Sequence, residues 1–312
     1  MPAVSLAARP GEVVAFPGQG VDPVAACGVL DAHAGHPLVA HLARVTGQAA
    51  WTPADLADTR VAQPVIVAAG LLAAADAGLT PDGAALAVGH SLGEITALAF
   101  AGALDPADAL DLVAARAALG HEAHQVRPGR MVAALKLDAA TVEWVRRRAV
   151  ADAGGVLDVA VVNGPAALVL SGDRATADRA GDLVAEAGGV PRRLGIGGAF
   201  HSSLLVGAVA PFRARVAALA PGPPRVPVAL STAPVVVGPG PDDRVPDDLP
   251  ELLARALVLP VAWERTLEVL RSRGARAAVD VGPGRTLANL AAHLPVLPFR
   301  ALVDGVAADG PR

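Results

Sequence analysis

The sequence predicts an α/β protein with a large parallel-sheet domain and a small inserted domain. Three observations indicate this class. Short apolar segments alternate with helical patterns, a glycine-flanked turn joins a strand to a helix near residue 91, and the rhythm changes between residues 131 and 196. We therefore expect residues 1–130 and 197–312 to form the large domain and residues 131–196 the small one.

Composition favours a globular protein with a large core. The chain has 312 residues, of which 53% are apolar and 18% charged. Its apolar residues are interrupted by 33 glycines and 27 prolines, and no apolar run reaches the ~18 residues of a membrane helix. Because residues 1–9 lack a basic segment leading into an apolar one, we expect no signal peptide and a cytoplasmic location.

Several function classes are disfavoured. Cys27 is the single cysteine, so we expect a buried apolar side chain and no disulfide. The spacing of His33, His36 and His41 matches no metal-ligand pattern, so we expect solvated histidines and no metal. A net charge of −4 with 3% aromatic residues argues against a nucleic-acid partner.

The turn around Ser91 carries the chemistry. Residues 84–88 read as a strand and residues 94–100 as a helix, with Gly89 and Gly93 on either side of the serine. This arrangement is typical of the nucleophile elbow of α/β-hydrolase-like folds, in which the bend exposes the serine Oγ. Ser91 is therefore the candidate nucleophile, and an ordinary strand-to-helix turn is the alternative.

Three further polar residues, Gln19, Gln63 and Arg116, are candidate functional residues. Gln19 lies between two glycines after a strand at residues 12–16, which favours open backbone amides or a plain turn. Gln63 precedes Pro64 at a predicted helix start, where a helix cap is the simpler interpretation. Arg116 lies among alanines on a helix predicted from residue 106 to residue 119. Its side chain either extends to water or binds an anion, and the neighbouring residues alone favour the first interpretation.

His201 follows a glycine-rich turn and lies 110 residues after Ser91 in the sequence. This chain order suits a general base, and a helix cap is the alternative. Between these two residues the pattern is βαββαβ, with strands at 131–137, 157–162, 168–170 and 192–196 and helices at 139–151 and 175–187. That order is typical of a ferredoxin-like unit, and we expect its three arginines at 146–148 to form a solvated helix face.

The remainder continues the α/β pattern. We expect strands at 226–231 and 277–281, helices at 252–258, 261–271 and 286–294, and a frayed tail from Val303.

Together the motifs resemble those of malonyl-CoA:acyl carrier protein transacylases and the related acyltransferase domains of polyketide synthases. The resemblance runs from about residue 16 to residue 290. It rests on Phe16-Pro17-Gly18-Gln19-Gly20, Gln63-Pro64, Gly89-His90-Ser91-Leu92-Gly93-Glu94, Arg116, Asn163-Gly164-Pro165, Gly198-Ala199-Phe200-His201-Ser202, Pro260-Val261-Ala262-Trp263 and Gly282-Pro283-Gly284.

The resemblance implies a ping-pong acyl transfer from an acyl-CoA to an acyl carrier protein, without a cofactor. Ser91 would be the nucleophile, His201 the base, and the backbone amides of Leu92 and Gln19 the oxyanion donors. In the family, the arginine at the position of Arg116 binds the free carboxylate of malonyl groups.

The resemblance also implies substrate contacts and exposes departures from the family. The implied substrate-binding residues are Arg116, Gln63, Phe200, Asn163 and His90, with the Phe200 ring crowding an α-methyl branch. Ala256 stands where the family often has glutamine or asparagine, and its carbonyl is expected to accept the second N–H of His201. Ile95 and Gly197 also depart from the family pattern, which leaves open an atypical acyl group or a specialised carrier partner.

Two other functions remain as alternatives, a thioester hydrolase on the same scaffold and a silent docking module for carrier proteins. The presence of Arg116 argues against the first, and retention of Ser91 and His201 against the second. The sequence leaves fatty acid and polyketide synthesis equally open, and family resemblance implies a monomer.

Overall fold

The computed structural model describes residues 11–303, which form eleven strands and eleven α-helices. The strands are β1 Glu12–Phe16, β2 Leu86–Gly89, β3 Gly129–Leu135, β4 Leu157–Gly164, β5 Ala167–Asp173, β6 Val190–Arg193, β7 Val228–Leu230, β8 Val235–Val237, β9 Val261–Ala262, β10 Ala277–Asp280 and β11 Phe299–Ala301. The helices are α1 Pro23–Ala32, α2 Pro37–Thr46, α3 Thr59–Asp76, α4 Gly93–Phe100, α5 Pro106–Val126, α6 Ala139–Ala153, α7 Arg174–Glu186, α8 Val206–Leu219, α9 Leu249–Arg255, α10 Trp263–Ser272 and α11 Thr286–Ala291.

The larger sheet has six strands in the order β11-β10-β1-β2-β7-β8. All neighbours are parallel except β8, which runs antiparallel to β7. Every residue of β1 and β2 is buried, as expected for parallel strands covered by helices on both faces. The loops after β1, β2 and β10 therefore meet at one edge of this sheet, where open α/β sheets form their binding crevices.

The smaller sheet has five strands in the order β6-β3-β5-β4-β9. Its first four strands pair antiparallel, and β9 adds to β4 in parallel. Helices α6 and α7 pack on one face over a separate apolar core that includes Val142, Leu157, Leu170 and Leu183. The opposite face lies toward the larger sheet and helps to line the cleft between them.

The structure corrects several predicted boundaries. Helix α3 begins at Thr59, because the Asp58 side chain accepts the amide of Arg60 as an N-cap. Pro64 and Gln63 therefore lie inside α3, and the helix-cap interpretation of Gln63 is wrong.

Other differences concern short or continuing elements. Helix α5 continues past residue 119 to Val126, just before Pro128. Residues 261–262 form β9 rather than the first turn of a helix, and the three-residue strands β8 and β11 were not predicted. Most of the predicted tail, residues 304–312, lies outside the described residues. Within residues 11–303, none of the helices combines the length and apolar character that crossing a membrane requires.

Candidate active site

The turn after β2 holds Ser91 in a strained backbone conformation. Its φ is +54°, in the left-handed region that non-glycine residues rarely adopt. The flanking glycines make this bend possible, because a Cβ on Gly89 would lie 2.0 Å from the amide nitrogen of Glu94. A Cβ on Gly93 would lie 2.1 Å from the carbonyl oxygen of Phe16. The bend brings Ser91 into the lining of the cleft, as in a nucleophile elbow.

A buried carboxylate supports the elbow from below. Glu94 on α4 is 1% exposed and accepts the backbone amides and both hydroxyls of Ser231 and Thr232, at 2.7 to 2.9 Å. Ser231 Oγ in turn accepts the amide of Ser91 at 3.1 Å. Burial raises the pKa of the Glu94 carboxyl, and these hydrogen bonds oppose the shift. The sequence analysis missed Ser231 and gave Glu94 no role, although an acidic residue in an otherwise apolar helix was a usable signal.

Ser91 and His201 are in direct contact. His201 Nε2 lies 2.6 Å from Ser91 Oγ, and His201 Nδ1 lies 2.9 Å from the carbonyl oxygen of Leu259. Because a carbonyl can only accept, Nδ1 carries the proton of the neutral ring and Nε2 is free to accept the serine proton. His201 is therefore not simply a helix cap.

The carbonyl of Leu259 is the main acceptor for Nδ1 of His201, at 2.9 Å, where the prediction placed the carbonyl of Ala256. The backbone of Ala256, the C-cap of α9, adds a weaker hydrogen-bond interaction with the same ring. The prediction of a main-chain acceptor in this segment is therefore confirmed, with Leu259 as the closer partner. The amide of His201 is also fixed, since it donates to the carbonyl of Leu257 at 2.9 Å.

The imidazole of His201 is strongly biased toward its neutral form. Burial lowers its pKa to about 3, with a further decrease from the nearby positive charge of Arg116. The hydrogen bond to Leu259 acts in the opposite direction. At neutral pH the ring is unprotonated at Nε2.

Arg116 points into the cleft, so the prediction of a surface position is wrong. Its side chain is 5% exposed, with Nη1 donating to Gln63 Oε1 at 2.9 Å and Nη2 lying 3.4 Å from Ser91 Oγ. The guanidinium carbon lies 4.7 Å from the centroid of the Phe200 ring, a cation–π contact. Burial lowers its pKa to about 10, so the group remains cationic at neutral pH.

The Phe200 ring packs against helix α5 at Gly120. A Cβ on Gly120 would lie 2.5 Å from the tip of the Phe200 ring, so a larger residue at position 120 would require the ring to shift. Since Arg116 lies one helical turn before Gly120, the ring and the guanidinium occupy neighbouring sites on the same face of α5.

The loop after β1 lies against the elbow. A Cβ on Gly18 would lie 2.7 Å from the carbonyl oxygen of His90, which shows how closely the two turns approach. Gln19 and Leu92 both line the cleft beside Ser91. Within residues 11–303, neither of their backbone amides donates to a protein acceptor. Two free donors at a cleft wall next to a serine are suited to binding an oxyanion.

His90 connects the elbow to the smaller sheet. Its Nε2 lies 3.0 Å from Oδ1 of Asn163, on β4. Its ring packs edge-on against Trp263 with centroids 5.1 Å apart. Burial lowers the pKa of His90, with Asn163 opposing the shift. Both His90 and Asn163 line the cleft, so these two implied substrate-binding residues lie next to each other although they come from different sheets.

The cleft has a volume of about 310 Å³. Its polar end contains Ser91, His201, Arg116, Gln63 and Gln19. Its opposite wall is the apolar face of the smaller sheet, formed by Met131, Ala133, Leu135, Val161 and Val169. Arg192 on β6 also lines the cleft. A cleft with a buried arginine beside a serine and an apolar wall suits a ligand that carries an anionic group on a partly apolar chain.

The cysteine, the histidines at positions 33, 36 and 41 and the arginines at positions 146–148, which the sequence analysis considered for disulfide, metal or surface roles, do not line the cleft. Cys27 is buried, as predicted. His36 is exposed and caps α2, whereas His33 and His41 are partly buried and bonded to Asp76 and Asp111 at 3.0 and 2.8 Å. Among residues 11–303, no group of three or more His, Cys, Asp or Glu side chains is arranged to hold a metal. Arg146 and Arg147 share the carboxylate of Glu143.

Known proteins resemble this chain in sequence and in fold. The chain is 31% identical over 218 residues to the malonyl CoA-acyl carrier protein transacylase of Bacillus subtilis (strain 168), covering 69% of this chain and 65% of that protein. It is 32% identical over 214 residues to the spectinabilin polyketide synthase system protein NorB of Streptomyces orinoci, covering 69% of this chain and 9% of that protein. The chain thus spans less than two thirds of either relative.

A solved structure matches over nearly the full length. The crystal structure of the acyl-carrier-protein S-malonyltransferase from Burkholderia pseudomallei 1710b superposes with a TM-score of 0.82 at 29% identity, covering 95% of this chain and 98% of that chain. The sequence profile of the acyl transferase domain matches residues 28–292. The chain therefore belongs to the acyl transferase domain family.

Proposed function

We propose that this protein transfers a malonyl group from coenzyme A to the phosphopantetheine thiol of an acyl carrier protein, for fatty acid or polyketide synthesis. The observation that carries the proposal is the buried cationic Arg116, whose Nη2 lies 3.4 Å from Ser91 Oγ. A donor whose carbonyl lies on Ser91 can place a free carboxylate on that guanidinium. The names of the transacylase relatives support the same substrate and partner.

In the first half-reaction Ser91 becomes acylated. His201 Nε2 accepts the hydroxyl proton over the 2.6 Å contact while Oγ attacks the thioester carbonyl. The amides of Leu92 and Gln19 stabilise the oxyanion of the tetrahedral intermediate, and each such donor is typically worth ~100- to 1,000-fold in rate. The C–S bond then breaks, and the imidazolium returns its proton to the departing thiolate of coenzyme A.

In the second half-reaction the carrier thiol takes the place of coenzyme A. His201 accepts the thiol proton, the thiolate attacks the acyl-serine ester, and the proton passes to Ser91 Oγ as the ester bond breaks. The carbonyl of Leu259 holds the imidazole through both steps, in the position where many hydrolases use a carboxylate.

The acyl group is selected by its carboxylate and by its width. Arg116 can present two parallel N–H donors to the carboxylate, a geometry that lysine cannot reproduce. The Phe200 ring, held between Arg116 and Gly120, narrows the space beside the α-carbon. We therefore favour malonyl over methylmalonyl, by the ~1 to 3 kcal/mol that a shape-based exclusion of one methyl supplies.

The neutral state of His201 gives the reaction a distinctive pH dependence. A pKa of about 3 means that the base stays unprotonated far below the usual histidine range. We expect the rate of Ser91 acylation to stay level from pH 8 to pH 5 and to fall only as pH approaches this pKa. Rapid-quench mass spectrometry across this range measures it, and a decline centred near pH 6.5 would contradict the assignment.

The fold description is part of the same proposal. The six-stranded sheet, parallel except for β8, and its elbow support an α/β-hydrolase-like large domain, residues 1–130 and 197–312. The β6-β3-β5-β4 order with α6 and α7 on one face supports a ferredoxin-like small domain, residues 131–196. A monomeric, cytoplasmic enzyme without a cofactor fits this proposal.

The test of the function is intact mass after brief incubation with malonyl-, methylmalonyl-, ethylmalonyl- and acetyl-CoA. We expect a malonyl adduct to form fastest and to disappear when a holo acyl carrier protein is added, with malonyl appearing on the carrier. Adducts only from acetyl-CoA would overturn the substrate assignment. Loss of the adduct to water at the same rate with and without carrier would instead indicate a thioester hydrolase.

A further inference from the structure

A chain of hydrogen bonds leads from Arg116 away from the reacting serine. Arg116 Nη1 donates to Gln63 Oε1 at 2.9 Å, and Gln63 Nε2 donates to Gln19 Oε1 at 3.5 Å. Gln19 Nε2 then donates to Thr59 Oγ1 at 3.3 Å, and Thr59 Oγ1 donates to the carbonyl oxygen of Gly197 at 3.3 Å. The chain ends at Thr59 and Gly197, to which the sequence analysis and the proposed mechanism assign no role.

Arg116 determines the donor-to-acceptor direction of this series of hydrogen bonds. A guanidinium has only donors, so Gln63 must turn its oxygen toward Arg116 and its nitrogen toward Gln19. Gln19 must then accept the hydrogen bond from Gln63 with Oε1 and donate one to Thr59 with Nε2. Thr59 completes the sequence because a hydroxyl can accept from Gln19 and still donate onward. All links point in the same direction, an arrangement in which each hydrogen bond polarises the next.

Thr59 is held firmly in this position. It is 4% exposed, and its hydroxyl also accepts the amide of Gly197 at 3.1 Å. A Cβ on residue 197 would lie 3.2 Å from Thr59 Oγ1, so glycine at this position leaves room for the hydroxyl. Helix α3 starts through the Asp58 side chain, so the Thr59 hydroxyl is not needed as its N-cap.

We propose that Thr59 is a specificity-determining positioning residue, which fixes the Gln19 and Gln63 amides so that Arg116 is held ready for the carboxylate of the acyl donor. The inference rests on the proposed function and extends it. Without the hydroxyl, Gln19 Nε2 loses its acceptor and both amides can rotate. Gln63 can then turn its nitrogen toward Arg116, donor against donor, and the guanidinium shifts from its place beside Ser91.

The substitution Thr59→Val removes the hydroxyl and keeps the branched shape, and Thr59→Ser is the matched control. We expect Thr59→Val to lower kcat/KM for malonyl-CoA acylation about 10- to 100-fold, the effect of losing the hydrogen bond between Gln63 and the charged guanidinium of Arg116. Acylation by acetyl-CoA should change less than about 3-fold, because that donor has no carboxylate for Arg116. Thr59→Ser should restore the malonyl preference to within about 3-fold of the native chain.

A double-variant cycle with malonyl-CoA alone gives a second readout. In the Arg116→Ala background we expect Thr59→Val to cause no further loss, because its effect passes through the guanidinium. Equal losses with malonyl and acetyl donors, or an undiminished loss in the Arg116→Ala background, would overturn the inference and leave the proposed function intact. A native chain that forms no malonyl adduct would overturn both.

Discussion

We expect Ser91→Ala to form no covalent adduct with any acyl-CoA donor. The variant keeps the cleft, the oxyanion donors and Arg116, but it has no oxygen within reach of His201 Nε2, which lies 2.6 Å from the native hydroxyl. Intact mass spectrometry after incubation with malonyl-CoA measures the adduct directly. Ser272→Ala is the matched control, because Ser272 is an exposed serine on α10 outside the cleft, and it should be acylated like the native chain.

His201→Ala separates the base from the nucleophile. The serine remains, so the adduct should still form, but about 100- to 10,000-fold more slowly, the usual contribution of a positioned general base. Retention of the native acylation rate would show that another group accepts the serine proton. A malonyl adduct of full yield on Ser91→Ala would show that a different side chain is the nucleophile.

The second large effect is expected for Arg116→Ala with malonyl-CoA. Removing one partner of a buried, hydrogen-bonded charge pair typically costs about 2 to 5 kcal/mol, or about 30- to 5,000-fold in kcat/KM. Acetyl-CoA lacks the carboxylate, so its acylation rate should hold or rise. The preference between the two donors would then be lost or reversed.

The control for this experiment is Arg147→Ala, since that side chain is 76% exposed on α6 and does not line the cleft. This variant should leave the acylation rates with malonyl-CoA and acetyl-CoA unchanged. An equal fall with malonyl- and acetyl-CoA in Arg116→Ala would mean that the guanidinium supports the fold of the site, and that the carboxylate binds elsewhere.

Local sequence was sufficient for the features that depend on neighbouring residues. Gly89 and Gly93 around Ser91 predicted the bend after β2, and the observed φ of +54° belongs to that bend. The alternation of short strands and helices predicted most strands of both sheets, but not β9, because strand and helix periods are properties of contiguous residues. The three-residue strands β8 and β11 are too short to give such a period.

Features that depend on how distant segments meet could not be predicted. The residues directly before and after Arg116 are alanines, so its immediate neighbours do not show which way the guanidinium points. The contact of Glu94 with Ser231 requires β7 to lie beside β2, a strand order that no local pattern encodes. The bond from His201 to Leu259 uses a backbone carbonyl, whose direction depends on the path of the chain after α9.

Strand β9 has a consequence for engineering this protein. It is only two residues long, yet Val261 and Ala262 pair with β4 of the smaller sheet, and the amide of Ala262 donates to Ser231 of the larger one at 2.7 Å. It also begins two residues after Leu259, the carbonyl partner of His201. Suppose that residues 131–196 were replaced by the corresponding segment of another protein of this fold. The β4 strand of the new segment would then pair with the β9 strand of this chain, which it did not evolve to contact. Chimeras should therefore carry residues 257–263 with the transplanted segment.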